Sequence, residues 1–192
     1  MVAVQVICSL LLLAPALAGP MPELLSHVTQ YLESEGVIDF YVDFATLLGQ
    51  QRGGKFLEGD KDIDITVAKE SVHILRTSRF NTSLAKVGYQ ISNLERWPFL
   101  RLLPLGATDD DQLAIEDGKG HPSGRPYLDV YELTCSAALC QTQTNTFMQP
   151  SSMLLPSRYC TVSGARTRCP ANPIKVYIYS LTHSHARKIH SD

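Results

Sequence analysis

The chain of 192 residues lacks several features that would assign it to a familiar class of protein. Its formal net charge is only −2 at pH 7, so it has no basic surplus for binding nucleic acid. It has no internal repeat and no low-complexity tract. These absences leave a globular protein that does not bind nucleic acid, and the length suits one domain with a real core.

Long hydrophobic runs are also missing, except at the N-terminus. Residues 2–13 are almost wholly apolar, and Ala16-Leu17-Ala18 forms a small-x-small cleavage pattern. The run is shorter than the about 20 apolar residues that a membrane span needs. We therefore predict a cleaved signal peptide over 1–18, with an uncleaved anchor as the alternative. Residues 19–192 would then form one domain, secreted or lumenal (ER or Golgi), without a stable membrane span.

Cysteine is scarce, and once the leader is removed four cysteines remain: Cys135, Cys140, Cys160 and Cys169. An even number in an exported chain predicts two disulfides, with three possible pairings. The tight Cys-x-x-Cys pairs of structural zinc sites are absent, so disulfides explain the pattern better. Half-cystines would not serve as nucleophiles. Asn81-Thr82-Ser83 is a glycosylation acceptor and agrees with the same route.

The most informative stretch that is present is acidic. Residues 60–67 read Asp-Lys-Asp-Ile-Asp-Ile-Thr-Val, and this alternation predicts a strand. Asp60, Asp62 and Asp64 would share one face, with isoleucine and valine on the other. Carboxylates stacked on one face repel each other, and a bound cation removes that cost. The run therefore indicates one wall of a metal site, although a solvated strand face is the alternative.

The spacing of this run excludes an EF-hand calcium loop. Such a loop requires glycine at its sixth position and glutamate at its twelfth, where this chain has Ile65 and Ser71. A hard divalent cation held by a few carboxylates and substrate phosphates, as magnesium usually is, fits the run better.

Periodicity elsewhere predicts a mixed α/β (α+β) domain. Helices are expected over residues 22–35, over a short segment 45–49 capped by Thr46, and over 69–79. Strands are expected over 37–44, 60–67, 89–93, 98–103 and 127–133. The polar segment 106–126 is predicted to be a long loop, and 174–179 fits either a strand or a helix.

Two clusters of motifs resemble the LicD/fukutin-type group of the nucleotidyltransferase-fold superfamily. The first is Phe44-Ala45-Thr46-Leu47-Leu48-Gly49, followed by Arg52, Gly54-Lys55-Phe56-Leu57 and Asp60-Lys61-Asp62-Ile63-Asp64-Ile65. The second is Tyr127-Leu128-Asp129-Val130-Tyr131. Weaker similarity follows in Leu154-Leu155-Pro156, Gly164 and Cys169-Pro170-Ala171-Asn172-Pro173. The likeness spans roughly residues 24 to 180.

The resemblance implies a nucleotidyltransferase-like mixed sheet flanked by helices. It also implies metal-dependent transfer of a phospho-alcohol, such as phosphocholine or ribitol phosphate, from a CDP-activated donor to a glycan acceptor. Asp62, Asp64 and Asp129 would be the catalytic carboxylates and the ligands of Mg²⁺ or Mn²⁺, with Asp129 the first candidate for the base.

The resemblance further implies donor-binding residues. Thr46 and Gly49 would lie at the phosphate-facing turn, Arg52 near the donor phosphates, and Asp60 beside the site. The chain departs from the family where Ala45 replaces the first glycine of the motif, which is used there for close approach of the nucleotide. A non-catalytic member that binds metal, nucleotide or glycan is therefore the alternative.

Overall fold

The mixed sheet predicted from the sequence is present in the computed structural model, which describes residues 19–92, 99–116, 123–143, 148–176 and 178–179. The strands are β1 Phe40–Val42, β2 Asp62–Ala68, β3 Tyr89–Ile91, β4 Leu100–Pro104, β5 Tyr127–Cys135, β6 Leu139–Thr142, β7 Gln149–Pro150, β8 Arg158–Val162 and β9 Ala165–Cys169. The helices are α1 Pro20–Ser34, α2 Phe44–Gly53, α3 Ser78–Ala85, α4 Asp109–Glu116 and α5 Ser151–Leu154, with a 3₁₀ helix over Lys69–Arg76.

The main sheet is antiparallel except at its centre. Its strand order is β1-β2-β5-β4-β3, and β6 and β7 extend it from β5. The central pair, β2 and β5, is parallel and comes from distant parts of the sequence. β8 and β9 pair with each other along their whole length in a separate hairpin. The two strands expected to supply carboxylates are therefore direct neighbours.

The core lies between α1 and the sheet. The helix buries Leu24, Leu25, Val28 and Leu32, which recur at the spacing of one helix face. The alternate face of β2 contributes Ile63, Ile65 and Val67, all at most 1% exposed. The apolar face fixes the register of β2. A shift of the strand pairing by one residue would turn the carboxylates toward this core.

Both predicted disulfides are confirmed, and each joins a local pair. Cys135 bonds to Cys140, and Cys160 bonds to Cys169, with sequence separations of 5 and 9. The first pair joins the adjoining ends of β5 and β6, and the second joins β8 to β9. Of the three possible pairings, the one between nearest neighbours is present.

Two of the predicted helices differ clearly from those in the structure. Thr46 does not cap α2; Asp43 is its N-cap, and the helix continues to Gly53, where a connection was expected. In place of the single helix predicted over 69–79 there is a 3₁₀ helix followed by α3. The backbone of Thr77 between them is extended, and its hydroxyl accepts the Phe80 N–H at 3.2 Å and caps α3.

The segment 106–126 is also not wholly a loop, because it contains α4. The side chain of Asp111 accepts hydrogen bonds from the N–H and the hydroxyl of Thr108 at 2.7 and 2.8 Å. Such reciprocal capping starts a helix in a polar sequence that has little apolar periodicity.

Two sequence predictions concern the termini. The predicted signal peptide, 1–18, lies outside the described residues and stays a prediction. The segment 174–179 is helical where it is described. Within the described ranges, no helix is both long enough and apolar enough to cross a membrane.

Candidate metal centre and active site

Three carboxylates converge where β2 and β5 run side by side. In the parallel register Asp64 lies opposite Asp129, and Asp62 lies opposite Tyr127. Side chains two positions apart on a strand project to the same face, so Asp62 and Asp64 point the same way. One oxygen from each of Asp62, Asp64 and Asp129 lies within 4.8 Å of the other two. We call these three residues the acidic triad.

Two of the triad residues are buried, and this raises the pKa of their carboxyl groups. Asp64 is 5% exposed and Asp129 is 3% exposed. Burial raises the pKa of Asp64 well above its usual value, and the charges of Asp62, Asp129 and Asp43 raise it further. Burial also raises the pKa of Asp129, although Arg101 opposes the shift. Without a cation, these carboxylates are electrostatically costly.

Two tyrosines of β5 contact the triad through their hydroxyl groups. The hydroxyl of Tyr131 donates to Oδ1 of Asp64 at 3.2 Å, and that of Tyr127 donates to Oδ2 of Asp62 at 3.4 Å. Each tyrosine holds the aspartate of the neighbouring strand. The carboxylates therefore have fixed orientations before any ligand binds.

An arginine from the other side of β5 completes the centre. Arg101 of β4 lies opposite Asp129 in the antiparallel register. Its Nε and Nη2 donate to the two oxygens of Asp129 at 2.7 and 2.8 Å. The guanidinium also lies 5.3 Å from the ring centre of Phe99 and 4.9 Å from that of Tyr127. Because Arg101 is itself only 8% exposed, the whole ion pair is buried.

The start of α2 is tied to the triad by Asp43 and Thr46. Asp43 accepts hydrogen bonds from the Phe44 N–H at 2.9 Å and from the Thr66 hydroxyl at 2.8 Å. The Thr46 hydroxyl accepts the backbone N–H of Asp64 at 3.0 Å and is fully buried. These bonds position α2 against β2. Contact of Thr46 with a donor phosphate stays a prediction.

The other predicted donor-binding residues lie along α2 and the segment before β2. A Cβ on Gly49 would collide with the carbonyl oxygen of Lys55, so this glycine allows α2 to pack on the following chain. Arg52 is exposed in the last turn of α2. Asp60 is half-buried, and burial, with hydrogen bonding to Asp62 and the charge of Asp62, raises its pKa to about 7. Their roles toward a donor stay predictions.

A cavity of about 310 Å³ has Asp60 in its wall. Its wall combines the start of α1, the segment before β2, the segment before β5 and the turn of the β8–β9 hairpin. The lining residues are Gly19, Pro20, Met21, Pro22, Phe56, Asp60, Lys61, Gly124, Pro126 and Ser163. Asp60 interacts with Asp62, so this cavity lies beside a neighbour of the triad.

A row of aromatic rings borders the triad near α2. The Tyr131 ring is 4.9 Å from that of Phe44 and 5.0 Å from that of Phe99, measured between centres. Phe44 is 38% exposed and has a φ of +44°, which is unfavourable for a residue with a side chain. A strained and exposed aromatic residue beside a polar centre is more typical of a binding site than of a core.

The donor set of the triad fits a hard divalent cation. Oxygen ligands alone favour Mg²⁺, Mn²⁺ or Ca²⁺ over metals that prefer sulfur or imidazole. Three carboxylate oxygens within 4.8 Å can coordinate one ion and leave its other positions to water or phosphate oxygens. The costly charges of Asp64 and Asp129 would be neutralised by the same ion.

Sequence reasoning missed Arg101 and Asp43. Arg101 is the only charged residue in the otherwise apolar stretch 99–103, and that isolation was the available signal. Asp43 immediately precedes the helical motif, which is the preferred place for an N-cap. The predicted glycosylation acceptor, Asn81, is exposed on α3, where its Oδ1 accepts the Ile91 N–H at 3.4 Å. Glycosylation there stays a prediction.

Comparison of the sequence with protein families gives one match. The family described as LicD/FKTN/FKRP, nucleotidyltransferase domain, matches residues 37–172, which is more than half of the chain. The match includes every residue of the triad. Among curated proteins, none matches this sequence.

Two solved structures are similar to the fold. The crystal structure of ANT(2")-Ia in complex with adenylyl-2"-tobramycin has a TM-score of 0.52 at 12% identity, and the match covers 86% of this chain and 78% of that one. The lincomycin-bound structure of the lincosamide antibiotic adenylyltransferase LnuA has a TM-score of 0.43 at 14% identity. That match covers 77% of this chain and 78% of the other. The first of these identifies a nucleotidyltransferase-like fold.

Proposed function

The chain belongs to the LicD/FKTN/FKRP family, and from this membership we propose that it is a metal-dependent transferase of the secretory pathway. It would move a phospho-alcohol, of the phosphocholine or ribitol-phosphate type, from a CDP-linked donor to a glycan hydroxyl. The observation that carries the proposal is the convergence of Asp62, Asp64 and Asp129 within 4.8 Å from two adjacent strands. The two disulfides agree with a secreted or lumenal location.

Each part of the site has a role in this reaction. Asp62, Asp64 and Asp129 would hold Mg²⁺ or Mn²⁺, which would neutralise the donor diphosphate and favour departure of CMP. Arg52 is exposed at the end of α2 and would bind a donor phosphate. Tyr127 and Tyr131 keep the triad oriented through their hydroxyl groups.

The transfer is written as an in-line displacement. The acceptor hydroxyl oxygen bonds to the phosphorus that carries the alcohol, and the bond from that phosphorus to the bridging oxygen breaks. CMP departs with the electron pair, and the hydroxyl proton passes to a carboxylate of the triad. Asp129 is the first candidate for this base.

CMP release tests this function directly. Purified protein with Mn²⁺ is incubated with a panel of CDP-alcohols and glycan acceptors, and CMP is measured over time. We expect release from at least one donor and loss of release in Asp64→Asn. Release of diphosphate from CTP in place of CMP from CDP-alcohols would indicate nucleotidyl transfer and contradict the proposal.

A non-catalytic binding module is the second candidate, and Ala45 favours it. This residue lies in the first turn of α2, where the family uses glycine for close approach of the nucleotide. Thermal unfolding separates a centre that binds the donor nucleotide from a module that binds metal alone. Stabilisation by Mn²⁺ that increases with added CDP supports a donor site, because each ligand bound to the native state raises the midpoint. Stabilisation by Mn²⁺ alone supports the module.

A further inference from the structure

The cavity of about 310 Å³ has a carboxyl group in one wall and the residue that precedes α1 in another. Asp60 lies just before β2, and Gly19 is the N-cap of α1. Much of the remaining wall is apolar and comes from Met21, Phe56 and Pro126. The cavity therefore brings one acidic side chain and the start of α1 to the same space.

Asp60 has no positively charged partner among the residues that the structure describes. Its Oδ2 is buried and has no hydrogen-bond partner there. The groups that act on its carboxyl are the carboxyl of Asp62 and the backbone N–H of Lys61. Lys61 also lines the cavity, but none of the ion pairs between described residues joins its side chain to Asp60. Because a buried acceptor without a donor is costly, this oxygen lacks a partner that would stabilise it.

Export of the protein would supply a new donor at Gly19. The predicted cleavage pattern Ala16-Leu17-Ala18 ends immediately before this residue. A signal peptidase would hydrolyse the bond between Ala18 and Gly19, with the water's hydroxyl going to the Ala18 carbonyl carbon and its proton to the Gly19 nitrogen. The amine takes up a further proton at neutral pH, since its ordinary pKa is about 7.7–8.0. A neutral amide with one N–H thus becomes an ammonium group with three.

The surroundings of Gly19 favour Asp60 as the counter-ion of this ammonium. A positive charge at the start of a helix is unfavourable, and no side chain caps α1. Glu23, in the first turn, is the other nearby carboxylate, but it is exposed and screened by water. Asp60 is half-buried in the cavity wall, where screening is weaker. No atom lies within 4 Å of a Cβ position on Gly19, so the residue has room to move.

We propose that removal of the leader after Ala18 creates an ammonium group on Gly19 that enters this cavity and pairs with Asp60. Gly19 is then a positioning residue, because it holds the carboxyl group that interacts with Asp62 of the triad. The same ion pair ties the start of α1 to the segment before β2. The uncleaved precursor lacks it. The inference rests on the secreted or lumenal location in the proposed function, and not on the transfer chemistry.

Mass spectrometry and amine labelling of the secreted protein test this inference. The chain is expressed with its own leader in a secretory host, and the mass of the N-terminal peptide identifies its first residue, which we expect to be Gly19. The α-amine is then labelled with acetic anhydride between pH 6 and pH 10, in the folded protein and in urea. An ion pair stabilises the protonated amine, so the pKa should be higher in the folded protein, and labelling at pH 7 about three- to tenfold slower. Burial without a charged partner would lower this pKa instead.

Two variants identify the partner of the amine. Asp60→Asn keeps the shape and removes the charge, so the labelling rate at pH 7 should return to that of the chain in urea. Glu23→Gln removes the competing carboxylate and is the matched control, for which we expect the wild-type rate. Equal rates in wild type and Asp60→Asn, or a larger increase in Glu23→Gln, would overturn the pairing. If Asp60→Asn does not fold, the wild-type comparison between folded protein and urea decides.

The outcomes separate this inference from the proposed function. A secreted chain that begins at a residue other than Gly19, or an α-amine whose pKa is not raised on folding, overturns the ion pair and leaves the transferase proposal intact. A raised pKa without CMP release from any CDP-alcohol supports the ion pair and contradicts the transferase. A protein that keeps its leader overturns the inference together with the secreted location, and CMP release then tests the transfer chemistry separately.

Discussion

The hydroxyl of Thr46 accepts the backbone N–H of Asp64 at 3.0 Å, across 18 positions of sequence. This bond joins the first turn of α2 to the strand that carries two of the three triad residues. Both residues are nearly inaccessible to water. A side chain that looks like a phosphate contact in the sequence is thus also a support for the metal centre.

Thr46→Val tests this support. Valine keeps the shape but leaves the Asp64 N–H buried without an acceptor, so we expect a loss of about 1–3 kcal/mol in the free energy of unfolding. Urea denaturation of the metal-free protein measures it. Thr46→Ser keeps the hydroxyl and should lose less. A larger loss in Thr46→Ser than in Thr46→Val would show that the methyl group, and not the hydrogen bond, matters at this position.

Asp64→Asn should separate stability from metal binding. Removing a buried negative charge next to Asp62 and Asp129 relieves repulsion and desolvation, so the metal-free variant is expected to be about 1–3 kcal/mol more stable than wild type. The stabilisation by Mn²⁺ should disappear. Thermal unfolding with and without Mn²⁺ measures both effects. Glu58→Gln, at an exposed position, is the control and should change neither. A less stable metal-free variant would contradict the electrostatic account.

The stability of the metal-free protein should fall as pH rises. The folded pKa values of Asp60, Asp64 and Asp129 are raised above the unfolded value, and that of Asp60 is raised to about 7. Between about pH 4 and pH 7 the native state therefore binds more protons than the unfolded state, so the free energy of unfolding decreases with pH.

Saturating Mn²⁺ should reverse this trend, because the cation binds the deprotonated carboxylates. Urea denaturation at pH 5, 6, 7 and 8, with a chelator or with Mn²⁺, measures the two slopes. Equal slopes would mean that the triad does not bind the cation.

Gly49→Ala should destabilise the protein by about 1–3 kcal/mol, because the new methyl group meets the backbone at Lys55 and forces α2 to shift. Gly53→Ala is the matched control in the same helix, where a Cβ meets nothing within 4 Å. The control should be neutral or gain about 0.5–1 kcal/mol from helix propensity. Urea midpoints compare the two variants, and similar values would show that α2 tolerates bulk at position 49.

Local sequence patterns predicted the acidic strand and which of its faces carries the aspartates. Alternation of aspartate with isoleucine and valine was enough to place Asp62 and Asp64 on one face, because the side-chain period of a strand is two. Pairing of Asp129 with this strand came from the family resemblance. Nothing in the local pattern indicates which strand lies beside β2.

Arg101 shows why the rest was not predictable. Arg101 meets Asp129 because β4 pairs with β5 in one particular register. Sequence periodicity does not reveal such a long-range pairing. The end of α2 was missed for a different reason. The helix was expected to end at Gly49, but residues 50–53 continue it, and Gly54 then adopts the left-handed conformation that ends it.

The parallel pairing of β2 with β5 also bears on biosynthesis. Asp62 and its neighbour Tyr127 are 65 positions apart, and the intervening chain must fold or loop out before they can meet. A nascent polypeptide on the ribosome therefore has Asp62 and Asp64 of the candidate cation site long before it has Asp129. Binding of an ion by all three carboxylates would consequently be a late event in the maturation of this protein, after synthesis has passed the second strand.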